Sequence, residues 1–144
     1  MRKIFLCIIS LAVLLSACSA QLPSYHYVYT GDGGSWSAQY TVDGTNTVTT
    51  QNGIPGNENK EKNRFVLTFK GTDEELAAIK HLKFNEQGPN GGGGTEQDFD
   101  IPPVSKSFEM NGASTGSRGM RQNDTVKVTV EWDGQIETFT LRAK

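Results

Sequence analysis

The chain has 144 residues, 35% of them hydrophobic and 21% charged, and its 14 basic and 16 acidic side chains leave a net charge of −2. That length suits one domain with its own core. A mildly acidic chain with no basic cluster argues against a partner held by its phosphates, so nucleic acid is excluded as the expected ligand.

At the N-terminus, Arg2 and Lys3 precede an apolar run from Ile4 to Leu15, and small residues follow from Ser16 to Ala20. A charged start, a short apolar stretch and a small-residue cleavage site make the layout of a secretory signal. The run is about a dozen residues, short of the ~20 that cross a bilayer as a helix. Within it, Leu15-Ser16-Ala17-Cys18 resembles the lipobox of bacterial lipoproteins. The resemblance implies that residues 1–17 are a lipoprotein signal peptide that is removed. It also implies that Cys18 becomes the first residue and carries a diacylglyceryl group. Two acyl chains anchor stably where one gives only marginal, reversible binding. Cys7 would leave with the signal and Cys18 would carry lipid, so no thiol remains for a disulfide. Without Arg2 and Lys3 the 14 basic residues fall to 12 against 16 acidic ones, a net charge of −4. Membrane attachment then rests on lipid, since there is no polybasic patch.

Residues 18–24 read as a lipidated tether and 25–144 as a single domain. Its body is rich in Thr, Val, Tyr, Phe and Gly, with short alternating runs between Gly, Asn and Pro clusters, the pattern of antiparallel β structure. Tyr25, Tyr27 and Tyr29 alternate, so on a strand all three share one face. Trp36, Ala38, Tyr40 and Val42 alternate in a second strand, with Asp43-Gly44 as a bend and 45–50 as its return. "GIPGNENKEKN", 53–63, reads as a polar loop. Phe65, Leu67 and Phe69 mark the next strand. Thr72 with Glu75 three residues on is a capping box, placing a short helix near 73–80 with Leu76 and Ile79 on one face. Leu82 to Asn85 resumes as strand, and "GPNGGGGT", 88–95, reads as a glycine loop. Phe99 with Ile101, and Phe108 with Met110, give two more strands, separated by Pro102-Pro103. "NGASTGSRG", 111–119, reads as another loop.

The C-terminal stretch "DTVKVTVEWDGQIETFTLRA", 124–143, is the clearest hairpin. Asp133-Gly134 suits a type I′ turn, which needs positive φ at both central positions. A two-residue loop pairs Trp132 with Gln135, Val130 with Glu137, Val128 with Phe139 and Val126 with Leu141. Lys127–Thr140 and Thr129–Thr138 then face water. The expected fold is all-β: an antiparallel β-sandwich of immunoglobulin-like type with seven to eight strands, a closed barrel being the alternative.

Four segments together resemble a group of small Bacillus-type Gram-positive lipoproteins of unassigned function. They are the lipobox, "GDGGSWSAQYTV", "GPNGGGGT" and the ending "VKVTVEWDGQIETFTL". The resemblance implies a membrane-anchored β domain on the extracytoplasmic side and implies no activity.

The residues themselves favour binding over catalysis. His26 and His81 stand apart in sequence, and the mature chain has no free thiol. His26, His81, Met110 and Met120 lack ligand spacing for zinc or copper, and Asp32, Asp98 and Asp100 lack an EF-hand pattern. "NGGGG", 90–94, lacks the lysine of a phosphate-binding loop. The expectation is therefore no cofactor and no metal. The leading function is a non-catalytic module presenting loops to a membrane or cell-wall protein. A small-ligand or carbohydrate-binding module would instead use Tyr25, Tyr27, Tyr29 and Trp36 as an aromatic platform. A cell-envelope enzyme would need a cleft with two converging carboxylates.

Overall fold

The computed structural model describes residues 23–116 and 118–144; Cys18 and its signal lie outside them. The fold is all-β. The elements are β1 (Ser24–Asp32), β2 (Trp36–Gln51), β3 (Ile54–Phe69), α1 (Asp73–Ala78), β4 (His81–Gly88), β5 (Gly91–Asp98), β6 (Ser107–Gly116), β7 (Thr125–Trp132) and β8 (Gln135–Ala143). Every pairing is antiparallel, in the order β5-β4-β7-β8-β1-β2-β3-β6. The two ends of this series, β5 and β6, approach one another without pairing, so the sheet is nearly closed. Apolar faces cover each other, as a sandwich demands, but within one continuous hydrogen-bonded series.

The alternation predicts the core. Trp36, Ala38, Tyr40 and Val42 are buried on β2, and Phe65, Leu67 and Phe69 on β3. Val126, Val128, Val130, Trp132, Phe139 and Leu141 are buried on the final hairpin, whose register is the expected one at all four inward pairs. Each such side chain contributes about 1.5–3 kcal/mol by leaving water. Asp133 and Gly134 adopt φ of 44° and 81°, as the type I′ turn requires. The Asp133 carboxylate also accepts from the backbone N–H groups of Lys80 and His81, at 3.1 and 2.9 Å, which pins the start of β4. The capping box at Thr72 and Glu75 is present, and α1 delivers Leu76 and Ile79 to the core.

Three expected loops are strand instead. Of the stretch 53–63, all but Gly53 belongs to β3, paired with β2 from Gln51↔Ile54 to Trp36↔Phe69. Its turn is Asn52-Gly53, with φ of 51° and 78°, so one uninterrupted hairpin replaces the bend at Asp43-Gly44 and the return at 45–50. β1 pairs no further than Thr45 and β6 no further than Asn59, so the tip of this hairpin projects as an arm. Within 88–95, Gly88 ends β4 and Gly91 to Thr95 pair with β4 as part of β5, leaving only Pro89-Asn90 as the turn. Residues 111–116 extend β6. Conversely, Phe99 to Ile101 is not strand, because β5 ends at Asp98 before the two prolines.

Candidate functional site

The interior is apolar at one end and polar at the other. Register sets the polar end: Tyr25 on β1 stands beside Gly44 on β2, Gly44 beside Glu61 on β3, and Glu61 beside Ser114 on β6. Gly44 has no side chain to block the row. A Cβ there would lie 2.0 Å from Tyr25 Cζ, so the Tyr25 ring crosses β2 through the space glycine leaves. Its hydroxyl donates to Glu61 Oε1 at 2.5 Å and accepts from Asn59 Nδ2 at 2.7 Å. Asn59 also donates to Asn46 Oδ1 at 2.9 Å. Burial and the bond to Glu61 push the Tyr25 hydroxyl up to about 12.

Glu61 is 4% exposed and fully occupied. Besides Tyr25 it accepts from the Met120 backbone N–H at 2.6 Å, from the Ser114 hydroxyl at 3.3 Å and from Asn90 Nδ2 at 3.4 Å. It therefore ties four parts of the chain together: β1, β6, the turn before β5, and the segment at 118–124. That segment is fixed further by Tyr29, whose hydroxyl donates to the Arg121 carbonyl at 2.7 Å, and by the Arg118–Asp124 ion pair at 2.8 Å. Asn90 reaches from the β4–β5 turn to β3, so it latches one end of the gap between β5 and β6.

Beside that latch lies a cavity of about 540 Å³. Gly91 to Thr95 of β5 and Met110 to Ser114 of β6 form its sides; Tyr40, Glu61, Phe65 and Glu86 reach it from the interior. The glycine run makes one wall of bare backbone. Glu86 is 8% exposed, directed inward by the same alternation that buries Leu82 and Phe84. Burial pushes its carboxyl up from 4.5 to about 7, offset in part by a hydrogen bond from the Gly93 backbone. Tyr40 is also raised, first by burial and then by the nearby Glu86 and Glu61.

The residues expected to form an aromatic platform do not lie exposed together. Tyr29 and Trp36 are fully buried, and Tyr25 and Tyr27 are half-buried and stacked, with centroids 5.4 Å apart. The stripe faces inward, and the alternate positions Ser24 and His26 are exposed. Trp36 packs against Phe69, Phe108 and Trp132, and its indole N–H has no hydrogen-bond partner among the described residues. "GDGGSW" is a structural turn, in which Glu137 accepts from the Ser35 and Trp36 backbone N–H groups at 2.9 and 3.2 Å. The histidines lie on the surface in separate pairs: His26 Nδ1 with Asp43 at 2.6 Å, and His81 Nδ1 with Asp98 at 2.7 Å. The bond to Asp98 raises the His81 pKa above 6.5. Among the described residues no group of three or more His, Cys, Asp or Glu is arranged to hold a metal ion.

Sequence reasoning missed Glu61, Glu86, Asn59 and Asn90. A signal existed for three of them. Glu86 continues the inward alternation of Leu82 and Phe84, and Asn59 and Glu61 continue that of Phe65 and Leu67 once Asn52-Gly53 is taken as a hairpin turn. Comparison of the chain with models of protein families, with curated proteins and with solved structures finds no match.

Proposed function

We propose that this chain is a lipid-anchored, extracytoplasmic binding module, held to the membrane through Cys18, that takes its partner along the seam between β5 and β6. The occupant is an extended segment of a membrane or cell-wall protein, added as a strand. One observation carries the reading: a sheet of eight strands ends in two facing edges, each hydrogen-bonded to one neighbour only. Such edges offer rows of unused backbone donors and acceptors, which proteins normally cover, charge or twist away. Here the glycine half of β5 does none of these. Gly91 to Gly94 are exposed and bring no side chain between the backbone and an incoming strand. Strand addition of this kind draws affinity from main-chain bonds and specificity from pockets for alternate side chains. The seam cavity supplies such a pocket. Anchoring and export rest on the lipobox resemblance.

The test places a photo-crosslinking residue at Thr95 on β5, at Ala113 on β6, and at Thr49 on the projecting arm, in intact cells. The expected result is that both seam positions join the same short segment of one protein and that the arm position does not. Products from Thr95 and Ala113 on unrelated segments, or none at either, would overturn the strand-addition reading.

A further inference from the structure

We infer that the cavity between β5 and β6 is a binding site for an organic ammonium group, with the Glu86 carboxylate as its counter-ion. The proposal begins from an imbalance of charge. Two carboxylates, Glu61 and Glu86, line the cavity, and among the described residues lining it none is basic. Glu61 is satisfied by four donors from its own chain. Glu86 is not: it is buried to 8% exposure, and among the described residues its one hydrogen-bond partner is the Gly93 backbone. A carboxylate has room for about four hydrogen bonds, and buried charges in proteins are as a rule paired. No basic side chain among the described residues lining the cavity meets that charge, so a cation that enters the cavity can.

The remaining lining fits an amine better than a bare metal ion. The volume of about 540 Å³ falls within the range of small-molecule sites, and no three-ligand cluster is present among the described residues. Tyr40 and Phe65 present rings, which attract a cation by their negative faces, and Met110 and Met120 add soft apolar surface for a methylene chain. Asn63 and Asn111 offer carbonyl oxygens to the ammonium hydrogens. The β5 wall opposite Glu86 is glycine, so nothing of the chain's own fills the space where the ligand would lie. Ion pairing also explains how Glu86 can be tolerated: ionised and alone it is costly, and the ligand removes that cost.

Protonation should compete with the ligand. The groups facing Glu86 are Tyr40 from β2, whose hydroxyl stays neutral throughout the working range, and Glu61 from β3. Its neighbours across β5 and β7 are Gly93 and Val128, which do not titrate. With Glu86 titrating at about 7, the ionised fraction drops about tenfold between pH 8 and pH 6, and affinity for a cation should drop about tenfold with it.

This inference deepens the seam reading, since a lysine of an added strand would supply the ammonium. The cavity is tested without any strand, so the two readings fail separately. The mature chain is titrated with n-butylammonium chloride, with 1-butanol as the neutral control and ionic strength held constant. NMR follows the Glu86 carboxyl carbon and the Gly93 amide. Saturable shifts of both with the amine, absent with butanol, about tenfold weaker at pH 6 than at pH 8 and lost in Glu86→Gln, are expected. The Gln variant keeps size and removes a buried charge, and its amide spectrum reports that it remains folded. No saturable shift at pH 8, equal shifts with butanol, or unchanged binding in Glu86→Gln would overturn the assignment.

Discussion

Replacing Glu86 by glutamine should stabilise the ligand-free protein, and only at a pH where the carboxyl would ionise. The folded-state value of about 7 lies above the ordinary 4.5, so the native state binds more protons than the unfolded state between those limits. Stability contributed at this site therefore falls as pH rises through that window. A displacement of 2.5 units at 1.36 kcal/mol each amounts to about 3 kcal/mol above pH 7. Glutamine carries no charge but leaves a buried amide incompletely paired, at a cost of about 1 kcal/mol. The net expectation is a gain of about 2 kcal/mol at pH 8, or a Tm higher by roughly 8 °C for a domain of this size. Below pH 4.5 the gain should vanish or reverse slightly. Urea unfolding of both proteins at pH 4.5, 6, 7 and 8 measures this, because the difference between them cancels the titration of every other group. A difference that stays constant across the series would refute the claim that Glu86 is buried and ionises at a cost.

Other sites test the polar end. Gly44→Ala puts a methyl group where the Tyr25 ring lies, and overpacking of this kind should cost about 1–3 kcal/mol in urea unfolding; a neutral outcome would mean the ring does not cross β2. Tyr25→Phe leaves Glu61 and Asn59 each short of a partner, at about 1–3 kcal/mol in the same assay. In NMR titration the His81 imidazole should titrate above 6.5, and Asp98→Asn should bring it back towards that value. For His81 the associated stability is present at acid pH and lost as pH rises through its folded value. Cys18→Ala should move the protein from the membrane fraction to the soluble one; retention in the membrane would end the lipid-anchor proposal.

The final hairpin was legible because turn chemistry and two-residue periodicity agree over Val126 to Leu141. The same logic fails for β5. A run of Gly91 to Gly94 has no apolar alternation and low strand propensity, and only its pairing with β4 holds it extended. The arm was hidden for a related reason. Its side chains beyond Asn59 are mostly exposed and polar, so Asn52-Gly53 was the one available signal. The buried carboxylates stayed out of view because a charged residue in a strand normally faces water. Nothing within the chain announces that Glu61 is met by Tyr25, Ser114, Asn90 and Met120 until the register of four strands is known.

Amide hydrogen exchange along β5 and β6 tests the seam most directly. Two facing, unpaired edges predict that alternate amides of 91–98 and 107–116, those turned away from β4 and β3, exchange quickly in the mature chain. Amides of β7 from Lys127 to Trp132, paired with both β4 and β8, should be slow. Slow exchange at every amide of both β5 and β6 would mean that the sheet is closed there, and would contradict the account.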